Sequence, residues 1–99
     1  MTDISDELFK MTATEAVGRL RSKELSPLDL VEASIKRIET VDHEVNSLPI
    51  HCFEQARDQA KSFDFKRHES NPKSLCGLPI AVKDYNDLGG AVTTYGSPI

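Results

Sequence analysis

A nearly unbroken apolar run, Leu78-Pro79-Ile80-Ala81-Val82, ends in Lys83-Asp84 and is followed at once by Tyr85-Asn86-Asp87-Leu88-Gly89-Gly90. A short apolar run bounded by turn residues reads as a strand covered on both faces of a sheet. Residues Leu75 to Val82 are therefore expected to begin a sheet. Such a strand delivers Lys83 to its carboxyl end, where ligands sit in open α/β sheets. With a side-chain period of two, Leu78, Ile80 and Val82 share one face, and Pro79, Ala81 and Lys83 share the other. Small Ala81 leaves room beside the lysine, and Asp84 falls on the opposite face. A carboxylate paired with Lys83 would hold it charged, whereas desolvation favours the neutral amine that a base requires. The same pattern also fits a lysine that merely ends a buried strand in solvent. Beyond it, Gly89 and Gly90 allow positive φ or close backbone approach. Thr93, Thr94 and Ser97 fit either a site lining or a turn, and no GxxxxGK[ST] phosphate loop is present.

The upstream half carries helix signals. Thr12 and Glu15 form a capping-box pattern that predicts a helix ending near Ser22 or Lys23, with Val17 and Leu20 facing inward. Ser26, Pro27 and Asp29 occupy the N-cap, first and third positions of a second helix. Leu28, Val31, Ile35, Ile38 and Val41 then recur at helical spacing, which predicts one apolar stripe and a helix ending between Thr40 and Asp42. Such a stripe either packs on its own core or docks a partner. Glu32 and Lys36 are spaced as an i, i+4 pair. Residues Asp42 to Ser47 read as a polar connection and Leu48 to Phe53 as a weak strand compromised by Pro49. A third helix is expected over Glu54 to Phe63, with Phe53, Ala56, Ala60 and Phe63 on one side. Residues Lys66 to Ser74 read as an exposed linker.

The chain has 99 residues, 38% of them hydrophobic, and no Trp, so one small domain with an economical core is the most it can build. Net charge is −4, and no basic run or aromatic platform appears, which argues against a nucleic-acid footprint. Cys52 and Cys76 belong to no CxxC or Cys/His zinc spacing and read as unpaired thiols of a reducing compartment. His43, His51 and His68 are scattered without metal-ligand spacing and read as non-catalytic. The acidic N-terminus is unlike a secretory signal, and no apolar run approaches the roughly 20 residues of a membrane span. These features predict a cytoplasmic protein.

The block Gly77-Leu78-Pro79-Ile80-Ala81-Val82-Lys83-Asp84, with Gly89-Gly90 and Thr93-Thr94-Tyr95-Gly96-Ser97 after it, resembles the start of the core of amidase-signature enzymes. The run from Glu24 to Ala33, with Arg37-Ile38-Glu39 and Asn46, is similar to that family's N-terminal helical region. Two blocks in the right order extend the resemblance from about Thr12 to Ser97. It implies an α/β fold: N-terminal helices plus the first strands of the mixed sheet, incomplete in this chain. On that pattern residues 1–65 are mainly helical, 66–77 a linker and 78–99 the start of the catalytic core. It also implies amide hydrolysis through a Ser–cis-Ser–Lys triad, with Lys83 as its lysine, acting through the middle serine on the nucleophile. No cofactor or metal is implied. The implied partner is a small-molecule amide substrate, and the complete protein admits a homodimer. The family's serines lie in a Gly/Ser-rich block that this sequence lacks, and Ser97 is not that nucleophile. A lysine without its nucleophile has nothing to activate, so the chain is expected to be an inactive N-terminal fragment that folds marginally and associates. The alternatives are a fragment like the A-type subunit of an amidotransferase and a non-catalytic helical interaction module.

Overall fold

The structure is a computed structural model that describes residues 8–48 and 50–82. Among the described residues, helices follow in order after a helical turn at Leu8 and Phe9: α1 over Ala13–Arg21, α2 over Pro27–Val45, α3 over Phe53–Lys61 and the single turn α4 over Phe65–His68. The helical part of the expected α/β architecture is thus present. None of the described residues is in a strand, and residues 83–99 of the expected core lie outside them.

Helix α1 starts where its cap predicts. The Thr12 hydroxyl accepts the Glu15 N–H at 3.1 Å, while the Glu15 carboxylate pairs with Arg19 one turn on. Its end is a Schellman motif. The Lys23 N–H reaches the Leu20 carbonyl, the Glu24 N–H reaches the Arg19 carbonyl, and Lys23 adopts φ +64°. Lys23 stands where glycine is usual, and its ammonium lies 4.8 Å from the centre of the Phe65 ring.

Helix α2 begins with a complete capping box. The Asp29 N–H donates to the Ser26 hydroxyl, the Ser26 N–H donates to the Asp29 carboxylate, and Pro27 occupies the first turn. Its burial differs from the single stripe the sequence predicts. Val31 and Ile35 of that stripe are buried, but so are Leu30 and Ala33 beside them. The second pair belongs to a core shared with Leu8, Ala16, Leu20 and Cys76. The first half of α2 is thus buried on two sides, while Glu32, Lys36, Arg37 and Glu39 stay exposed, and each fully buried Leu, Val or Ile contributes roughly 1.5–3 kcal/mol. The stripe therefore packs mainly within the chain.

The helix also runs further than expected, to Val45. No breaker stands between Thr40 and Val45. The stop comes from Asn46, which takes the left-handed conformation at φ +52° and sends its N–H to the Asp42 carbonyl. The Asp42 carboxylate turns back over this end. It accepts from the Ser47 N–H, the Ser47 hydroxyl and the Leu48 N–H, and His51 lies 3.6 Å away. Burial raises the Asp42 carboxyl, but these donors outweigh it and hold it below its ordinary value. Residues 50–52 form no strand, because Phe53 already begins α3 and stacks on His51.

Helix α3 lies along α2 and is tied to it by a forked ion pair. Arg57 donates from Nε to one Glu32 oxygen at 2.7 Å and from Nη2 to the other at 3.3 Å. Glu32, which the sequence spacing pairs with Lys36, thus has an interhelical partner. The exposed stretch after α3 carries structure of its own. It forms α4, stacks His68 on Phe63, and folds Asn71 over Lys73 and Ser74.

Two outcomes follow. Replacing Ser26 by Ala should destabilise the fold by about 1 kcal/mol, as loss of an N-cap does; thermal melts against a change at exposed Glu39 check this. The Arg57 hydrogen bond, opposed in part by burial, holds the Glu32 carboxyl below its ordinary value of 4.5. A depressed native pKa gives stability that is complete above the ordinary carboxylate range and is lost as pH falls through the native value. The fall in melting temperature on acidification should therefore be smaller in Arg57→Gln than in wild type.

Candidate functional site

Lys83 and the glycines and hydroxyls after it (Gly89, Gly90, Thr93, Thr94 and Ser97) lie outside the described residues. The structure does show how the chain is carried up to Val82, the residue before the lysine. The expected strand over residues 75–82 is instead a tight turn followed by residues in no regular element. A strand requires a neighbour for its backbone groups, and none stands beside this segment among the described residues. Ile80 and Val82 are 71% and 42% exposed.

The turn itself is firmly held. The Leu78 N–H donates to the Leu75 carbonyl at 3.1 Å, and both central residues have positive φ: Cys76 at +54° and Gly77 at +90°. This is the backbone of a type I′ turn, which reverses a chain sharply. A cysteine in that conformation costs on the order of 1–2 kcal/mol. The offset is burial, since Cys76 is 1% exposed and sits in the core with Leu20, Leu30 and Ala33. Gly77 has no such freedom of choice. A Cβ there would lie 2.5 and 2.8 Å from ring carbons of Pro27, at the start of α2.

Polar contacts secure the turn from the other side. Arg21, the last residue of α1, donates from Nη2 to the Asn71 carbonyl at 2.8 Å and the Ser74 carbonyl at 2.9 Å. The Ser74 hydroxyl accepts the Cys76 N–H at 3.1 Å and bonds His68 Nδ1 at 3.0 Å. His68, read from the sequence as an idle histidine, is thus part of the turn's support. Both cysteines are free thiols.

After Leu78, which packs on the core, the chain runs beside a groove of about 410 Å³ between the start of α2 and α3. Val31, Ala56, Ala60, Phe63, Leu78 and Val82 are among the residues that line it. Its only titratable lining group is the Cys52 thiol, so the groove holds no acid–base pair among the described residues. The described residues also bring no three His, Cys, Asp or Glu side chains together as a metal site. No described helix is long and apolar enough to cross a membrane. What these residues supply is a mount for the segment that leads to Lys83.

A family model described as Amidase matches residues 29–99, a span that contains the turn, Lys83 and all of the groove's lining except Pro27. The chain belongs to the amidase family. Its relatives include the A-type subunit of the glutamyl-tRNA(Gln) amidotransferase of Psychrobacter cryohalolentis, 37% identical over 91 residues, covering 92% of this chain and 18% of the relative. The same subunit from Streptomyces avermitilis is 35% identical over 100 residues, covering 100% of this chain and 20% of the relative. That of Bacillus mycoides is 39% identical over 92 residues, covering 93% and 19%. The chain thus spans about a fifth of the length of the curated relatives it matches. No solved structure matches it significantly.

Within this amidase-family segment, Arg21, Ser74, Cys76 and Gly77 carry a positional role that the sequence reading missed. The usable signal was Gly77 directly before the apolar run, which marks a turn. Its partners could not be read, because Arg21 meets Ser74 across 53 residues. Replacing Gly77 by Ala should cost about 1–3 kcal/mol, since it both strains φ and drives a methyl into Pro27. Chemical denaturation of the two proteins measures this, and an unchanged midpoint would mean that the turn is not held against Pro27.

Proposed function

We infer that this chain supplies the lysine of an amide-cleaving core and that Lys83 is that lysine. The observation that carries the reading is the family match, which runs through Lys83 and beyond it. In its neutral form the Lys83 amine would accept a proton from the middle serine, which in turn takes the proton of the nucleophilic serine. The serine oxygen would then attack the amide carbonyl, and the returning proton would leave with the amine. The resulting ester would be cleaved by water. Both serines come from polypeptide that this sequence does not contain, so these 99 residues alone should turn over no amide.

A second reading has its own support. The relatives are named as glutamyl-tRNA(Gln) amidotransferase subunits, and on that reading the same core would pass the released nitrogen to an acyl acceptor. On that reading the acceptor is an acyl-tRNA, and the partners are the other subunits of the assembly. The tRNA contact would fall outside this acidic chain, whose net charge of −4 offers phosphate no attraction. The setting on either reading is the cytoplasm.

The test uses the polypeptide encoded through and beyond codon 99. Lys83→Ala should lower ammonia release by at least ~10³-fold with little change in melting, because members of a catalytic unit fail together. Activity within tenfold of wild type in a folded variant removes Lys83 from the chemistry. Ammonia release that depends on an added acyl-tRNA acceptor favours the transferase, and acceptor-independent release favours the hydrolase.

A further inference from the structure

The fold assembles a basic edge from two segments, neither of which is a basic run by itself. Residues 19–24 and 61–73 hold seven of the twelve Lys and Arg but three of the sixteen Asp and Glu. The rest of the chain holds five against thirteen. Two contacts bring the segments together. The Lys23 ammonium lies 4.8 Å from the centre of the Phe65 ring, and Arg21 latches the Asn71 and Ser74 carbonyls at 2.8 and 2.9 Å. The Asn71 side chain in turn accepts the Lys73 N–H. Lys23, Lys66, Arg67 and Lys73 therefore lie along the edge where α1 ends beside α4, and all four are exposed. None of the four makes an ion pair with a described carboxylate, whereas Arg19 and Arg57 each pair with two. Lys23 is the sharper observation. It stands at φ +64°, in the position after a helix that glycine fills at least cost. A side chain kept in so sparsely populated a conformation points to a use for that side chain.

We propose that this edge, built from Lys23, Lys66, Arg67 and Lys73, docks a short acidic segment of a partner protein. Cations spread over three pieces of backbone suit a run of carboxylates rather than one small anion. Exposed charges act over a screening length of about 8 Å at physiological salt, so a short segment feels the edge and little of the acidic remainder. A nucleic acid long enough to run past the edge would meet the carboxylates outside it, which leave the chain at −4 overall. The edge also offers bases no open ring for stacking, because Phe65 is covered by Lys23 and Phe63 by His68. The proposal is independent of the role assigned to Lys83.

The probe is a fluorescein-labelled oligoglutamate, titrated with the chain and read by anisotropy. Binding should weaken at least about tenfold as salt rises from ~0.01 to ~0.15 M, because the screening length falls from roughly 30 to 8 Å. Joint Lys66→Gln and Arg67→Gln should weaken it roughly threefold to tenfold without changing the melting temperature, since one exposed ion pair is worth up to about fivefold. Lys73→Gln should weaken it by a smaller factor. Lys23→Gly should also weaken binding while melting no earlier than wild type, because glycine relieves the left-handed backbone as it removes the cation. Lys36→Gln, an exposed α2 lysine outside the two segments, should bind as wild type does. An oligoglutamate that does not bind at low salt overturns the proposal, as does binding unchanged in both the paired variant and Lys73→Gln. Equal weakening by Lys36→Gln overturns it too, because it marks a diffuse charge effect. Tighter binding of an oligouridylate of equal charge overturns it in favour of a nucleic-acid contact. If the paired variant does not fold, Lys73→Gln decides, and wild-type affinity there overturns the proposal.

Discussion

The Ser26 hydroxyl and the Asp29 carboxylate each accept the other's backbone N–H, and this exchange sets the first residue of a 19-residue helix. Fixing that start fixes the rotation of α2, and with it which residues face α1 and which face α3. Leu30 and Ala33 go to the core with Leu20 and Cys76, while Val31 turns toward the groove beside α3. It also places Pro27, whose ring is the floor against which Gly77 turns. One cap thus governs both the helical packing and the seat of the segment leading to Lys83. The cap itself is worth only about 1 kcal/mol, so its importance is geometric rather than energetic.

The turn at Cys76 and Gly77 shows how a strained backbone is kept. Its left-handed cysteine is unfavourable locally, yet the side chain is fully buried, and a buried apolar side chain is worth more than the strain costs. The Arg21 latch and the Ser74 hydroxyl satisfy polar groups that the turn would otherwise leave without these partners. Downstream of Leu78 the balance reverses. Ile80 and Val82 are exposed, and the segment has no ladder partner among the described residues. That contrast divides the chain physically: a helical body and turn that are closed on themselves, and an apolar segment that is not.

What the sequence by itself determined was local. Thr12 and Ser26 begin helices because a cap acts within three residues, and α3 follows its apolar spacing to within a turn. The family likeness was also legible, since it rests on residue blocks in order. The end of α2 was misplaced because its stop is an asparagine in the left-handed region, which carries a weaker signal than Gly or Pro. The tertiary structure alone decided the rest. Leu30 and Ala33 are buried because α2 has neighbours on two sides, and a periodicity count sees one face at a time. Leu75 to Val82 has the composition of a strand, but a strand is a relation between two segments, and composition describes only one. Arg21 became a latch through carbonyls 50 and 53 residues away, and nothing in its own surroundings along the chain could have specified them.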